Sequence, residues 1–244
     1  MKLNVYATPD SVSDKALKDK NAVVIDVLRA TSTILAALIN GCREVIPAIE
    51  IEEVINMSKN YEKDAYLLCG ERNIDGIDGF HLSNSPLEYT ADKVLDKTLL
   101  FTTTNGTKAI RKVVDAREVI MCSITNVDVV AEHLARQKRD TAFVCAGTDG
   151  QFSMDDVITA GAVISRLSEM VDDLELSDLA VVAEFLYRNS KGNLHGLLEN
   201  STHYKRLMAK GLKADIDYCL TLNAAPVVGI FKDGVIRTLE KMQE

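Results

Sequence analysis

The stretch VVIDVLRATSTILAALIN, Val23 to Asn40, decides the fold. Ala22, Val23, Val24 and Ile25 form a short unbroken apolar run, which fits a strand buried on both faces of a parallel sheet. Asp26 and Arg29 stand where that strand ends. Thr31, Ser32 and Thr33 are predicted to cap a helix whose apolar residues Ile34, Leu35, Leu38 and Ile39 recur at helical spacing, and Gly41 ends it. In open α/β sheets ligands bind at the carboxyl ends of strands, so an acid, a base and three hydroxyls crowded there point to a site.

The same pattern recurs outward from that stretch. Leu3 to Ala7 alternates and reads as a first strand, followed by the polar segment Thr8 to Asn21. Glu44 to Ile49 reads as a short strand, Ile51 to Tyr61 as an amphipathic helix, and Tyr66 to Cys69 as a strand that ends at Gly70-Glu71-Arg72. Asn73 to Tyr89 is rich in Gly, Asn, Asp and Pro and reads as a long loop. Thr98 to Phe101 is a predicted strand, Thr102 to Thr107 a hydroxyl-rich turn, and Lys108 to Val114 a helix. Arg117-Glu118-Val119-Ile120 then repeats Arg43-Glu44-Val45-Ile46. Strand, Thr-rich turn, helix and REVI strand thus occur twice, which points to two related β-α-β halves around one crevice. Asn126 caps a helix to about Gln137, and Thr141 to Ala146 is another buried strand. After it come a glycine-containing turn and a helix capped by Ser153, with Asp156 in the capping-box position. The chain from Ser177 is largely helical. Val227 to Phe231 and Val235 to Leu239, joined by Lys232-Asp233-Gly234, form a terminal hairpin. The predicted fold is one α/β domain over residues 1–244: a three-layer α/β/α arrangement with a mostly parallel sheet, a C-terminal helical region and a hairpin.

Composition narrows the function. A formal charge of −8 over 244 residues argues against broad binding to nucleic acid or anionic membrane surfaces, so an anionic substrate must meet a local cluster of positive charge. No run approaches the roughly 18 apolar residues of a membrane span, and the opening residues lack the apolar segment of a signal peptide. The expectation is a soluble, cytoplasmic protein. Cys42, Cys69, Cys122, Cys145 and Cys219 contain no C-x-x-C pair and read as reduced core thiols. A homodimer is the expected assembly, because symmetric pairs are common among soluble oligomers.

Polar residues gather at four predicted strand ends: Asp26 with Arg29; Glu71 with Arg72; Asn105 with Thr107 and Lys108; and Gly147 with Thr148, Asp155 and Asp156. If these strands are parallel neighbours, their ends converge on one rim. Carboxylates from separate strand ends suit Mg²⁺, which takes hard oxygen ligands and often binds through one or two carboxylates plus substrate phosphate. Thr-, Asn- and Gly-bearing turns at helix starts suit phosphate. A helix N-terminus offers an anion about 0.3–1 kcal/mol, whereas a unit charge pair about 4 Å apart near a surface interacts by about 4 kcal/mol before desolvation. A dianionic phosphate therefore calls for a metal and side-chain cations, with Arg29, Arg72 and Lys108 as candidates. Each residue also has an ordinary reading. Asp26 could cap the helix or pair with Arg29, Asp155 and Asp156 are first-turn acids, Glu71 and Arg72 could form a surface pair, and Lys108 could be solvated. Their recurrence at strand ends is what favours a site. The Walker pattern is absent, no cysteine has an arginine six positions later, and Leu28 stands where an aspartate-nucleophile phosphatase has its second Asp. There is no G-x-S-x-G or H-E-x-x-H, and His81, His133, His195 and His203 are not spaced as metal ligands.

The segments Val24 to Thr33 (VIDVLRATST), Gly70-Glu71-Arg72, Ser83-Asn84-Ser85-Pro86, Thr102 to Thr107 (TTTNGT), Ala146-Gly147-Thr148, Asp156-Val157 and Ala160-Gly161 together resemble the 2-phosphosulfolactate phosphatase family, in order along most of the chain. The resemblance implies a Mg²⁺-dependent phosphomonoesterase that converts 2-phospho-3-sulfolactate to 3-sulfolactate, a step towards coenzyme M. The family has Glu-Asp where this chain has Asp155-Asp156. A segment similar to Ser201-Thr202-His203 implies His203 as a general acid, although Tyr204 replaces the expected Gly. In the resulting assignment Asp26, Glu71 and Asp156 hold Mg²⁺ directly or through water. Thr104, Asn105, Gly106 and Thr107 bind substrate with Gly147, Thr148 and Arg72, while Asp26, Arg29, Lys108 and His203 serve catalysis. Two other functions would use the same crevice: a non-catalytic sensor of a phosphorylated metabolite, and a phosphatase for another small phosphorylated acid.

Overall fold

The computed structural model describes residues 1–242. The chain opens with β1 (Lys2–Tyr6), a one-turn helix α1 (Asp14–Leu17), β2 (Asn21–Ile25), α2 (Ala30–Ile39) and β3 (Glu44–Ala48). It continues through α3 (Ile51–Ser58), β4 (Tyr66–Arg72), the two-residue β5 (Asp75–Gly76), α4 (Ala91–Val94), β6 (Thr98–Thr102), α5 (Gly106–Lys112) and β7 (Glu118–Cys122). Then follow α6 (Val127–Gln137), β8 (Thr141–Cys145), α7 (Met154–Leu167), β9 (Glu175–Leu176), α8 (Asp178–Ser190), α9 (Leu194–Leu198), α10 (Thr202–Ala209) and α11 (Lys213–Cys219). The hairpin β10 (Gly229–Lys232) and β11 (Val235–Thr238) completes the sheet.

The unbroken apolar run of β2 is buried at every residue because both faces of the sheet are covered. Val23 and Ile25 join a core with residues of β8 and of α6, α7 and α8, such as Phe143, Leu134, Val163 and Ala180. Ala22 and Val24 face the opposite core, built with Ile34, Leu35 and Leu38 of α2 and Ile110 of α5. A third, smaller cluster sets Val54 of α3 on Leu100 and Ala48. All five cysteines are buried and free, and burial pushes their thiols above the usual range.

The sheet order is β5-β4-β6-β3-β11-β10-β7-β2-β8-β1-β9. Within it, β4, β6 and β3 form one parallel block, and β7, β2, β8, β1 and β9 form another. The C-terminal hairpin lies between them and is antiparallel to both, so the two blocks run in opposite directions. Its turn places Asp233 and Gly234 at φ 52° and 87°, the left-handed pair that a two-residue reversal requires. The expectation that polar strand ends share one rim of a single parallel sheet is therefore corrected.

The repeat explains how those ends nevertheless meet. The first strand of each repeat pairs in parallel with the REVI strand of the other: β2 with β7 over five residues, and β6 with β3 over five. The crossing helices α2 and α5 lie in the same core cluster, and their first residues touch.

Ile236 is fully buried and supplies the register contact of β11 with Val45 of β3. Ile236→Ala is expected to lower the unfolding free energy by about 2–5 kcal/mol, measured by urea titration. The same truncation at half-exposed Val114 should change it by no more than about 1 kcal/mol.

Candidate active site

Asp26 follows β2 directly, and the hydroxyls after it shape the turn. Arg29, not the predicted Thr-Ser-Thr triplet, is the N-cap of α2, and the triplet is buried in the first turn. The Thr31 hydroxyl donates to Asp26 O at 2.8 Å and accepts from Asp26 N at 3.1 Å, while Ala30 N donates to Asp26 Oδ1 at 3.2 Å. Ser32 donates to Val27 O at 2.7 Å. Small hydroxyls at such a bend bond backwards to the chain, which is why they do not cap. The Leu28–Arg29 peptide is cis.

Asp156 does not close a capping box. Its Oδ1 accepts from Val27 N and its Oδ2 from Gly147 N, each at 3.0 Å, so one carboxylate ties the end of β2 to the end of β8. Gly147 sits at φ 68°, where a Cβ would come 2.4 Å from Gln151 O. Ser153 turns its hydroxyl to Asp155 Oδ1 at 2.6 Å. Glu71 organises the other block in the same manner. Its Oε1 accepts from Thr104 N at 2.6 Å, and its Oε2 from Ile74 N at 2.7 Å and the Thr104 hydroxyl at 3.1 Å. The blocks touch where α5 begins: a Cβ on Gly106 would fall 2.5 Å from Ala30 Cβ and 2.7 Å from Asp26 Oδ2.

The C-terminal helices supply the remaining wall. Buried Arg29 donates through Nη1 to Asp215 Oδ2 of α11 at 2.6 Å and through Nη2 to Ile74 O at 3.0 Å. The other Asp215 oxygen accepts from the Ser85 hydroxyl at 2.7 Å. His203 of α10 donates from Nε2 to Leu28 O at 2.6 Å, which assigns the proton to that nitrogen and leaves Nδ1 buried without a partner. One turn further on, Arg206 pairs with Asp149.

These residues enclose a crevice of about 350 Å³. Of the residues expected in the site, Asp26, Arg29, Glu71, Thr104, Asn105, Thr148 and His203 line it. Asp156, Gly106 and Gly147 stand behind the lining. Three expected residues are elsewhere, for clear reasons. Arg72 turns to the strand ends, donating to Glu71 O, Ile49 O and the Thr102 hydroxyl. Thr107 is buried, its hydroxyl donating to Thr103 O at 3.0 Å. Lys108 lies on the exposed side of α5. Burial pushes the Asp26 carboxyl up to about 7; the Asp155 and Glu71 charges add to this, and the Ala30 amide and Arg29 oppose it. Burial, followed by Asp155 and Asp26, holds Asp156 well above the carboxylate range despite its two amide donors.

The sequence model of the 2-phosphosulpholactate phosphatase family matches residues 6–234. The chain belongs to this family. It is 48% identical over 238 residues, 98% of both chains, to a protein of Caldanaerobacter subterraneus subsp. tengcongensis named "Probable 2-phosphosulfolactate phosphatase". Proteins of the same name from Clostridium acetobutylicum and Clostridium beijerinckii are each 42% identical over 236 residues, 97% of this chain and 100% and 99% of theirs. Among the described residues, no helix is long and apolar enough to cross a membrane.

The family resemblance carries Mg²⁺ with it, and the donor set can be tested against that ion. Among the described residues, no group of three or more His, Cys, Asp or Glu side chains is arranged to hold a metal. Asp26 and Glu71 do share the crevice, and burial, with the charges of Asp155 and Glu71 adding to it, raises the Asp26 carboxyl. Asp26 fits as a direct ligand of an ion that completes its shell with water and substrate oxygens, and Glu71, whose oxygens already accept from Thr104 and Ile74, fits as one that holds the ion through its waters. Asp156, with both oxygens on backbone amides, fits a supporting place.

Several lining or wall residues escaped the sequence reading, Arg206, Asn84, Asp149 and Asp215 among them. Arg206 was accessible to it, since it lies three positions after His203 on one helix face. Asn84 stood unassigned in the Ser-Asn-Ser-Pro segment. Asp149 and Asp215 look like solvated acids until the fold sets them against Arg206 and Arg29.

Folding raises the Asp26 carboxyl from about 3.8 to about 7, so the folded chain binds the extra proton between those values. Its contribution to stability is present at low pH and is lost as pH rises through about 7. In chelator-treated protein, Asp26→Asn is expected to flatten this slope and to be more stable than the parent at about pH 8, read by urea unfolding at about pH 5 and pH 8. Asp215→Ala leaves Arg29 buried without its counter-charge and should cost about 3–5 kcal/mol in the same assay.

Proposed function

We propose that the chain is a phosphatase that uses Mg²⁺ to hydrolyse 2-phospho-3-sulfolactate to 3-sulfolactate and phosphate. The observation that carries this reading is the composition of the crevice in an acidic chain of this family: Asp26 and Glu71 share it with Arg29, His203 and Arg206. The relatives bear the name of that activity over nearly their whole length. In organisms that make coenzyme M, the product would feed its synthesis in the cytoplasm.

Asp26 and Glu71 would hold Mg²⁺, with Asp156 fixing the turn behind Asp26. The bound ion supplies positive charge to the phosphoryl oxygens and acidifies a water for attack. Asn105, the N-cap of α5, would hydrogen-bond the phosphoryl group, while Thr104 holds Glu71 with its amide and hydroxyl. Arg29, its guanidinium oriented by Asp215 and Ile74 O, would neutralise substrate charge without having to be ordered first. Arg206 is free to exchange partners, because its ion pair with Asp149 is exposed and such pairs contribute only about 0–1 kcal/mol. A dianionic substrate would therefore take it from Asp149. His203 would meet the leaving oxygen through Nδ1, since Nε2–H is held by Leu28 O. As a general acid it would then act as the imidazolium, with both nitrogens protonated.

The decisive measurement is phosphate release from 2-phosphosulfolactate with Mg²⁺. Turnover by the wild-type chain is expected, with kcat/KM down by about a thousandfold in Asp26→Ala. Arg206→Ala should act mainly through KM, raising it about tenfold. Tight binding of 2-phosphosulfolactate without phosphate release would make the protein a sensor and sink the catalytic reading.

A further inference from the structure

The Ser83-Asn84-Ser85-Pro86 segment makes no direct contact with the phosphoryl group in the reading above, yet it is held firmly at the crevice. The Ser83 amide and hydroxyl donate to Glu88 at 2.6 and 2.8 Å, and the Tyr89 hydroxyl donates to Ser83 O at 2.6 Å. Thr33 of α2 donates to Asn84 O at 2.9 Å, which fixes the Asn84 backbone against the turn that carries Asp26 and Arg29. Within this rigid frame the Asn84 side chain is only 4% exposed and lines the crevice, but among the described residues its amide finds no hydrogen-bond partner, and its Oδ1 is buried. Buried side-chain amides are nearly always paired, so an unpaired one on the wall of a ligand crevice is a place where a ligand supplies the partner.

The neighbouring residue indicates the kind of ligand. Ser85 donates to Asp215, and Asp215 accepts from Arg29, so the same segment that presents Asn84 also orients the Arg29 guanidinium. Arg29 uses one bond from each terminal nitrogen, and a guanidinium has five N–H donors in all, so donors remain. An amide NH₂ sharing a crevice with a buried guanidinium is a donor set for an oxyanion that offers only acceptors.

We propose that Asn84 is a substrate-recognition residue: its side-chain amide donates to an oxygen of the second anionic group, carboxylate or sulfonate, that the substrate carries besides its phosphate, with Arg29 adjoining. The assignment rests on reading the crevice as a site for a phosphorylated sulfo-acid. Asp215 and Ser85 are positioning residues for Arg29. Among substrates, Asn84 separates phosphorylated acids from simple phosphomonoesters.

The test compares wild type with Asn84→Ser on 2-phosphosulfolactate, 2-phospholactate and p-nitrophenyl phosphate. The kcat/KM ratio of 2-phosphosulfolactate to p-nitrophenyl phosphate should fall about tenfold to a hundredfold, through KM. If the ratio for 2-phospholactate falls equally, the amide reads the carboxylate; if it holds, the amide reads the sulfonate. An unchanged ratio for 2-phosphosulfolactate overturns the proposal. Calorimetric titration with 3-sulfolactate reads the contact without turnover: affinity should be about tenfold weaker in Asn84→Ser. Equal affinity, or no binding to the wild-type chain, also overturns it. Asn84-dependent binding of 3-sulfolactate by a chain that releases no phosphate would sink catalysis and leave the recognition role standing.

Discussion

Two backbone amides, those of Val27 and Gly147, donate to the two oxygens of one buried carboxylate, that of Asp156. The ends of β2 and β8 are thereby locked, and with them the turn that carries Asp26 and Arg29. Strand ends are where a sheet loses its ladder of hydrogen bonds, and a buried amide without a partner is costly. Here a side chain from the following helix replaces the ladder. Glu71 does the equivalent for β4 and β6 by accepting from the amides of Ile74 and Thr104. Two carboxyl groups thus hold four chain segments around one crevice.

That arrangement concentrates carboxyl groups. Asp26, Asp155 and Asp156 are all buried, and the carboxyls of Asp26 and Asp156 are pushed upward chiefly by burial. Ionised, such a cluster in a chain of formal charge −8 would repel the substrate of a phosphatase. The opposing charge is local: Arg29 comes from the turn itself, Arg206 from α10. Arg29 is buried with Asp215, so its orientation is set before any ligand arrives, whereas Arg206 is exposed and can change partners. One fixed and one movable cation suit a substrate that must be both positioned and released.

The hairpin and the helical C-terminal region connect these local features. β10 and β11 separate two parallel blocks of opposite direction, and the exchanged pairing of the two repeats brings the starts of α2 and α5 together across that division. Close contact there requires Gly106, since any Cβ would press on Ala30 and Asp26. The last helices then fold back over the crevice with Asp215, His203 and Arg206.

The sequence by itself determined the α/β class, the apolar strands, the duplicated strand-turn-helix unit and the place of Asp26 and Glu71 at strand ends. These follow from periodicity, turn chemistry and the exposure of strand ends, all of which act over a few residues. Tertiary structure decided the direction of the two blocks, because the hairpin between them joins chain segments far apart in sequence. It also decided which cations serve the crevice. Arg72 and Lys108 sit beside the right motifs, but the guanidinium of Arg72 meets the Ile49 and Glu71 carbonyls, and α5 presents Lys108 to solvent. Arg206 and Asp215 reach the crevice only through the packing of α10 and α11. Asp26 is legible as an acid after a buried strand; its raised carboxyl depends first on burial and then on Asp155 and Glu71, which only the folded chain supplies.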